Sequence, residues 1–569
     1  MGGREGGRLG HRDGESATVR VAPPAARAMI GRGGDPMQQD PGRGGLATEG
    51  AVGFMNGLDA LFLYLESPET PMHVGSMHVF EPPAGGGEGF AAAVRAHLAA
   101  RLDRADVFTR KLAPMPLGIA NPAWVRAAEV ELEHHVRRMR LPAPGTLAQF
   151  HDLVGSLHAR PLDRSRPLWE MVVVEGLQDG RIGFYAKVHH AGLDGQAGVA
   201  LAQAVYDVVA RAAPAPLGAP VSTVATSGHE PGAARVAAAG ARHNAAQLLG
   251  FGARLPALLR SVAQAVGPAL GRQPAAGAAG AAGAPEATGG AGALLGGEGL
   301  LAPRTALNAS ISRRRAFATL SVPLARARAI AHRHEASLND VVLAACGGAL
   351  REWLLARDDL PAESLLAAMP VSLRRPGDTT SNTQAMMARM TLATDIADPV
   401  ERLRRIRDAS GRIKGALRDV KSAVPTEFPS LGLPWLGNAL AALWGRGRLA
   451  NRLPPLANVI VSNVPGPAVP LYLLGARMLH YWPVSIPYHG VALNVTVQSY
   501  AGSLDFGLIA CRRAVPDVDA LATLLARAFD ALDADAARAS DARPPSDAPP
   551  ATTAPAPRRR RAAAPKADR

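Results

Sequence analysis

The residues best suited to chemistry lie in one short stretch, FYAKVHHAGLDGQAG, which spans residues 184–198. It places His189 and His190 directly after an apolar run, and Asp194 and Gly195 follow four and five residues after His190. A neutral imidazole has a pKa of about 6.5, so at neutral pH it can take a proton from a hydroxyl or a thiol. The pair can equally be a structural feature of the core or part of a metal site. The surrounding sequence has to separate these three interpretations.

Two adjacent histidines at the end of a strand are poorly placed to hold one metal ion. Successive side chains of a strand point to opposite faces, so one ring faces the layer beneath while the other can project into a cleft. A metal site also needs a third ligand at a defined spacing, and none follows nearby. We therefore expect no metal. A buried structural pair remains the simplest alternative to a catalytic one.

The residues beyond the pair indicate which kind of proton transfer is possible. Asp194 can orient the loop or a ring, and Gly195 permits close backbone packing where the next helix begins. No serine or cysteine lies beside the histidines in a recognisable nucleophile motif. Direct transfer, in which a histidine activates the hydroxyl of the acceptor itself, therefore fits better than a covalent enzyme intermediate.

The spacing of hydrophobic residues and the positions of turn-forming residues predict the helices and strands that position this stretch. A short helix pattern from Leu58 to Leu65 precedes a strand from Val74 to Phe80, and FAAAVRAHLAARLDRA predicts an amphipathic helix. EMVVVEGL and IGFYAKV predict two strands joined by a turn at Asp179-Gly180, as in a hairpin. Helix resumes from about Gln196 to Ala210.

Length and composition predict a globular protein with more than one domain. The chain has 569 residues, of which 47% are hydrophobic and 19% charged. Two α/β blocks of similar size, joined by a long linker, predict a two-domain fold with a small-molecule site in the cleft between the domains. We predict a disordered extension at 1–52, an N-terminal domain at 53–212, a partly helical Ala/Gly-rich linker at 213–305, a C-terminal domain at 306–535 and a disordered basic tail at 536–569.

Charge, cysteine content and hydropathy exclude several other classes of protein. Part of the formal charge of +14 lies in the closing PRRRRAAAPKADR, and only 4% of residues are aromatic, which argues against nucleic-acid binding. The two cysteines, Cys346 and Cys511, give neither a disulfide framework nor a zinc spacing, which fits a reducing cytoplasm. The opening residues lack an apolar signal core, and prolines divide the uncharged C-terminal stretches into strand-length pieces, so we expect neither secretion nor a membrane span.

The motif HHAGLDG resembles the HHxxxDG motif of the bacterial wax ester synthase/diacylglycerol acyltransferase family, a branch of the CoA-dependent acyltransferases. Further segments resemble other blocks of that family in the same order: LDALFLYLESPETPMHVGSMHVFE, RPLWE, LNDVVLA, MPVSLR, VSNVPGP and LNVTVQSYAGSLDFGLIACRRAVPD. The resemblance runs, with gaps, from about Leu58 to about Leu532. The long linker, the N-terminal extension and SNTQ at 381–384, where the family commonly has a GN pair, depart from the pattern.

The resemblance implies two chloramphenicol-acetyltransferase-like domains, each a mixed sheet with flanking helices, and a site at the domain interface. It implies transfer of an acyl group from acyl-CoA to diacylglycerol, which gives triacylglycerol, or to a fatty alcohol, which gives a wax ester. His190 matches the general base, and His189 and Asp194 are its structural neighbours. Acyl-CoA is then a cosubstrate, and no resident cofactor is expected.

Further residues in the matching segments are candidates for binding substrate or shaping the site: Gly195, Asn339, Asp340, Trp169, Arg374 and Asn463. Each also has a structural interpretation. Ser337 and Asp340 can form the capping box of a long helix, and Trp169 suits the core. Asn463 precedes a Pro-Gly turn between strands, and Arg374 can face a phosphate or water.

A non-catalytic, basic amphipathic protein that coats membranes or lipid bodies is the alternative function. Its support is LPWLGNALAALWGRGRLANRLPP, in which Trp435, Leu436, Leu440 and Trp444 precede a basic end. An enzyme for insoluble lipids must also reach an interface, so the two functions are compatible. We expect a cytoplasmic protein attached peripherally to the inner face of the cell membrane or to lipid inclusions, with diacylglycerol as the favoured acceptor.

Overall fold

The computed structural model describes residues 52–83, 87, 89–113, 115, 120–193, 195–211, 222–226, 230–247, 249, 301–372, 385–420 and 449–541. The strands in these ranges are β1 (Gly53–Phe54), β2 (His73–Phe80), β3 (Arg110–Leu112), β4 (Ala123–Arg126), β5 (Glu129–Glu131), β6 (Val136–Arg140), β7 (Trp169–Glu175), β8 (Ile182–His189), β9 (Thr223–Ala225), β10 (Arg315–Pro323), β11 (Leu366–Ser372), β12 (Ala385–Thr391), β13 (Val459–Val464), β14 (Tyr472–Leu473), β15 (Ala476–Val484), β16 (Leu493–Tyr500) and β17 (Ser503–Cys511). The α-helices with defined bounds are α1 (Gly57–Leu65), α2 (Phe90–Ala99), α3 (Leu132–His135), α4 (Leu147–His158), α5 (Gly195–Val205), α6 (Leu324–Arg333), α7 (Leu338–Leu355), α8 (Pro399–Val420) and α9 (Val518–Asp541).

The first large sheet has the strand order β14-β15-β2-β8-β7-β6. Only the β6–β7 pair is parallel, so the sheet is mixed. β7 and β8 form the predicted hairpin, and Gly180 adopts a positive φ of 73° in the turn. Residues of α2 and the end of α5 pack on one face of the sheet, while Phe150, Val154 and Leu157 of α4 pack on the other.

The second large sheet has the order β10-β17-β16-β13-β11-β12, with parallel pairing in β16–β13 and β13–β11. Helices α7, α8 and α9 bury apolar side chains against it, among them Trp353, Leu403 and Phe529. Both sheets are mixed and helix-covered, which confirms the prediction of two chloramphenicol-acetyltransferase-like α/β units.

The two units are tied together by an exchanged strand. β15 comes from the C-terminal part of the chain, yet it completes the first sheet by pairing antiparallel with β2, opposite β8. β17 of the second sheet crosses β15 so closely that a Cβ atom on Gly507 would lie 1.7 Å from the Pro483 carbonyl oxygen. The alternating pattern of these residues predicts strands, but it does not indicate which sheet each strand joins.

Part of the predicted linker also belongs to the ordered structure. β9 pairs antiparallel with β5, and residues 233–247 are helical, with Val236 buried against Ala123 and Val125 of β4. Among the described helices, none is both long and apolar enough to cross a bilayer.

Candidate active site

Strand β8 carries the histidine pair to its carboxyl end. Every residue of β8 is buried, and His189, its last residue, lies opposite His73 of β2. His190 opens a 3₁₀ turn that ends at Gly192. The His190 amide donates to the Met72 carbonyl (2.8 Å), and the Leu193 amide donates to the His190 carbonyl (3.2 Å). The two side chains therefore start from adjacent, fixed backbone positions and lie in different surroundings.

His189 is a buried residue that supports the turn. Its Nδ1 accepts a hydrogen bond from the Ala191 amide at 3.1 Å, so a neutral ring carries its hydrogen on Nε2. That nitrogen lies 3.4 Å from Oε1 of Glu66. Because one ring nitrogen is bound to the backbone and the other faces a carboxylate, His189 is poorly placed to exchange a proton with substrate.

Glu66 is the acidic residue beside this support. Its carboxylate accepts from the Met72 amide (3.1 Å) and from the Arg164 guanidinium (3.0 and 2.7 Å), and the side chain is 6% exposed. Burial raises the pKa of Glu66, but the hydrogen bonds and charges of His189 and Arg164 outweigh it and lower the pKa to about 2. Glu66 is therefore ionised at neutral pH and connects the end of α1 to the histidine pair.

His190 has the surroundings expected of a proton acceptor. Its ring is half-buried and stacks on Phe62 of α1, with ring centroids 3.8 Å apart and an interplanar angle of 13°. Its Nδ1 is buried and has no hydrogen-bond partner among the described residues. Burial lowers the pKa of His190 to about 4, so the ring is neutral and can accept a proton at neutral pH.

Phe62 is expected to determine the pH below which activity is lost. Replacing Phe62 with alanine removes the ring that covers one face of His190 and admits water, so the pKa of His190 should rise from about 4 toward 6.5. A base works only when it is deprotonated, so the acidic limb of kcat/KM should move to higher pH by the same amount. The pH profile of purified enzyme measures this shift.

The neighbouring Leu61→Ala variant is the matched control, because Leu61 lies on the same helix but is 41% exposed. It should leave the acidic limb in place. An unchanged limb in Phe62→Ala would mean that Phe62 does not set the pKa of the base.

The other residues predicted near the histidines have separate outcomes. Asp194 and Arg374 lie outside the described residues. Gly195 is the first residue of α5, as the sequence predicts, and that helix ends at Val205, earlier than predicted. Trp169 is 1% exposed, donates from Nε1 to the Phe108 carbonyl (3.2 Å) and stacks on His135, so it belongs to the core.

The candidates from the C-terminal part are positioned by secondary structure. Ser337 and Asp340 form the predicted capping box of α7, in which Asp340 is 2% exposed and its Oδ1 has no partner in the described structure. Asn339 is half-exposed and contacts the Met369 sulfur at 3.9 Å, and Asn463 is exposed near the end of β13. Among described residues, no hydrogen bond, ion pair or ring contact joins these side chains to His190.

Three residues beside the pair are absent from the sequence-based site: Phe62 stacks on His190, Glu66 faces His189, and Arg164 holds Glu66. Phe62 and Glu66 lie in the segment that resembles the N-terminal block of the family, and an acidic residue in an otherwise apolar run (LFLYLESP) is the signal that could have identified Glu66. Arg164 lies in DRSRPLWE, where a solvated arginine is the simplest interpretation. Their roles depend on tertiary contacts between distant segments.

The histidine pair belongs neither to a group of metal ligands in the described ranges nor to the lining of the cavity at the other end of β8. Within the described ranges, no three His, Cys, Asp or Glu residues are grouped so that they could hold a metal ion. A cavity of about 330 Å³ lies at the opposite end of β8 and is lined by Leu177, Arg181, Ser321, His480 and Trp482, among others. The cavity lining includes neither His189 nor His190.

Comparison with known proteins identifies related chains. Residues 55–342 match the family model described as the wax ester synthase/diacylglycerol acyltransferase catalytic domain, and residues 382–533 match the model of the C-terminal domain of the same family. A Mycobacterium tuberculosis protein named as a diacylglycerol O-acyltransferase is 36% identical over 464 residues, which cover 82% of this chain and 96% of that one.

Two further relatives agree with these matches. A Mycobacterium bovis protein, also named as a diacylglycerol O-acyltransferase, is 34% identical and covers 81% of this chain and 95% of its own. The solved wax ester synthase/diacylglycerol acyltransferase from Marinobacter aquaeolei superposes with a TM-score of 0.58 at 28% identity, covering 85% of this chain and all of that one. The similarity therefore covers the residues of both sheets and the histidine turn.

Proposed function

Because this chain belongs to the wax ester synthase/diacylglycerol acyltransferase family, we propose that it is an acyl-CoA-dependent O-acyltransferase with His190 as its general base. The observation that carries the role of His190 is the combination of a half-buried, neutral ring and a turn held by the Met72 carbonyl and by His189. Such a ring can take a proton without first losing one, and its position is fixed before substrate arrives.

The chemistry follows from the two ring nitrogens. Nδ1 of His190 is buried, so Nε2 is the nitrogen that meets the substrate. Nε2 takes the proton of the acceptor hydroxyl as the oxygen attacks the thioester carbonyl of acyl-CoA. The tetrahedral intermediate then collapses, the bond from carbon to sulfur breaks, and the CoA thiolate leaves with the proton that His190 received. The reaction needs no resident cofactor or metal, because a thioester and one base are sufficient.

Diacylglycerol is the acceptor that we favour, with fatty alcohol as the second acceptor. The relatives from Mycobacterium are named for diacylglycerol, and the solved Marinobacter enzyme is named for both activities. The experiment is a competition assay that offers one long-chain acyl-CoA with equal amounts of hexadecanol and dioleoylglycerol and separates the wax ester from the triacylglycerol. A protein that forms neither product would instead support the non-catalytic coating function.

We also propose that the protein meets its lipid substrates at a membrane or lipid-inclusion surface. The predicted amphipathic stretch around Trp435–Trp444 lies outside the described residues. Among the described residues, Leu453 and Leu456 follow this stretch in the sequence and are 46% and 66% exposed; we group them with Leu301, which is 46% exposed, as one apolar patch. The Ala302 amide donates to the Pro455 carbonyl (2.8 Å), which places the two segments side by side, and the exposed Arg452 adjoins them.

Exposed leucines beside a cation are the combination that binds anionic lipid surfaces, because buried apolar area and charge both contribute. Replacing Leu453 and Leu456 with aspartate should therefore reduce binding to anionic vesicles by at least about tenfold in a flotation assay, while added salt alone should release the wild type only in part. The double variant Val208→Asp/Val209→Asp is the matched control, since these valines are 66% and 51% exposed elsewhere on the surface. Equal flotation of both double variants would exclude this patch as the contact.

A further inference from the structure

We propose that Arg110 is a positioning residue for the base, acting through the backbone of the turn that carries His190. The inference rests on the proposed role of His190. Arg110 begins β3, far from the histidine pair in sequence, and its Nη2 donates to the Gly192 carbonyl at 2.6 Å. A charged donor at this distance makes one of the stronger classes of protein hydrogen bond.

The guanidinium is itself held in place by an aromatic ring. Its central carbon lies 4.9 Å from the ring centroid of Trp124, which is in β4, the strand paired with β3. Trp124 is 8% exposed and shares an apolar cluster with Ala191 of the turn. A Cβ atom added to Gly192 would meet Trp124 at 3.7 Å, so the same ring also lines the turn. The Arg110 guanidinium and the turn therefore both pack against the Trp124 ring.

The turn needs such an external anchor. A 3₁₀ turn of three residues contributes a single internal hydrogen bond, here from Leu193 to His190, and that geometry is weaker than in an α-helix. The Met72 carbonyl, just before β2, fixes the start of the turn, His189 fixes its second residue, and Arg110 fixes its third. If the third contact is lost, the His190 ring can shift relative to a substrate although every catalytic atom is still present.

The test compares Arg110→Met with Lys111→Met in the full-length protein. Methionine keeps an unbranched apolar stem, two atoms shorter than that of arginine, and removes the donor. Lys111 is the adjacent residue of β3 and pairs with Glu230 (2.7 Å), so its variant removes the same charge from the same strand without touching the turn. We expect Arg110→Met to lose about 10²-fold in kcat, as small misplacements of catalytic groups do, with KM for acyl-CoA changed less than about twofold. Lys111→Met should match the wild type.

Arg110→Lys should recover part of the lost kcat, because a lysine restores one charged donor but not the planar group that lies over Trp124. Hydrogen exchange of the amides of Ala191 and Leu193 gives a second measurement that does not depend on turnover. Their exchange should be faster in Arg110→Met than in the wild type and in Lys111→Met, with the rest of the chain unchanged.

Three outcomes would overturn the proposal: wild-type kcat in Arg110→Met, a kcat loss matched by a fall in thermal stability with no rescue by lysine, or unchanged exchange in the turn. If the wild-type protein releases no CoA at all, the proposed function fails, while the exchange measurement still decides whether Arg110 holds the turn.

Discussion

Replacing His190 with alanine should lower turnover of acyl-CoA with diacylglycerol by about 10²- to 10⁴-fold, the range found when a general base is removed. The loss should appear in kcat, because the ring acts on the reacting hydroxyl rather than on binding. Thermal stability should change little, since the ring is half-buried and its main contact is the stack on Phe62. Release of free CoA from purified protein, followed with a thiol reagent, measures the effect.

Two variants of His189 test whether His190 or His189 is the base. His189→Asn retains an oxygen that can accept the Ala191 amide, whereas His189→Ala does not, and both leave His190 in place. We expect the asparagine variant to keep more activity than the alanine variant, and both to exceed His190→Ala. Full activity in His190→Ala would exclude it as the base, and a greater loss in His189→Asn than in His190→Ala would transfer the role to His189.

Replacing Gly507 with alanine should destabilise the whole fold by about 3 kcal/mol or more, because the methyl group has no space. It would lie 1.7 Å from the Pro483 carbonyl oxygen and 2.9 Å from the Pro483 carbonyl carbon. Both are backbone atoms of a paired strand, so a side-chain rotation cannot relieve the clash. The two sheets would have to separate where β15 and β17 cross. Thermal unfolding of the variant should occur several degrees below that of the wild type.

Gly411→Ala is the control for this substitution. Gly411 lies in α8, and an added Cβ atom would meet no atom within 4 Å. Alanine is favoured over glycine inside a helix by about 0.5–1 kcal/mol, so this variant should be as stable as the wild type or slightly more stable. A Gly507→Ala protein that unfolds at the wild-type temperature would show that the strands can move apart without cost.

Local features of the sequence predict much of this molecule. The β7–β8 hairpin follows from two apolar runs around Asp179-Gly180, and the start of α7 follows from a serine placed three residues before an aspartate. The hairpin and the start of the helix are each determined by residues close together in the chain. The motif that ends β8 also indicates where chemistry can occur, because a strand end followed by a glycine-containing turn exposes a side chain.

Contacts between distant segments are the part that local patterns do not predict. Glu66 and His189 are far apart in the chain, and so are Arg110 and Gly192, yet each pair meets at the histidine turn. The apolar run around Glu66 marks the residue as unusual, but nothing in that run indicates that His189 and Arg164 are its partners. The same limit applies to β15, whose alternation is equally suited to either sheet. β15 joins the first sheet because β2 has an unpaired edge there, and that edge exists only once the rest of the first sheet has folded.

The strand exchange has a consequence for the order of events during synthesis. β2 is complete at Phe80, but its partner β15 ends at Val484, about 400 residues later. At the usual rate of about 5–20 residues per second, the ribosome needs roughly 20–80 s to deliver that partner. Once β8 is complete at His189, and until β15 arrives, the nascent first sheet exposes an unpaired edge that can pair with other chains. The protein should therefore depend on chaperones that bind nascent chains, and slow translation should lower its yield more than it does for proteins whose sheets close locally.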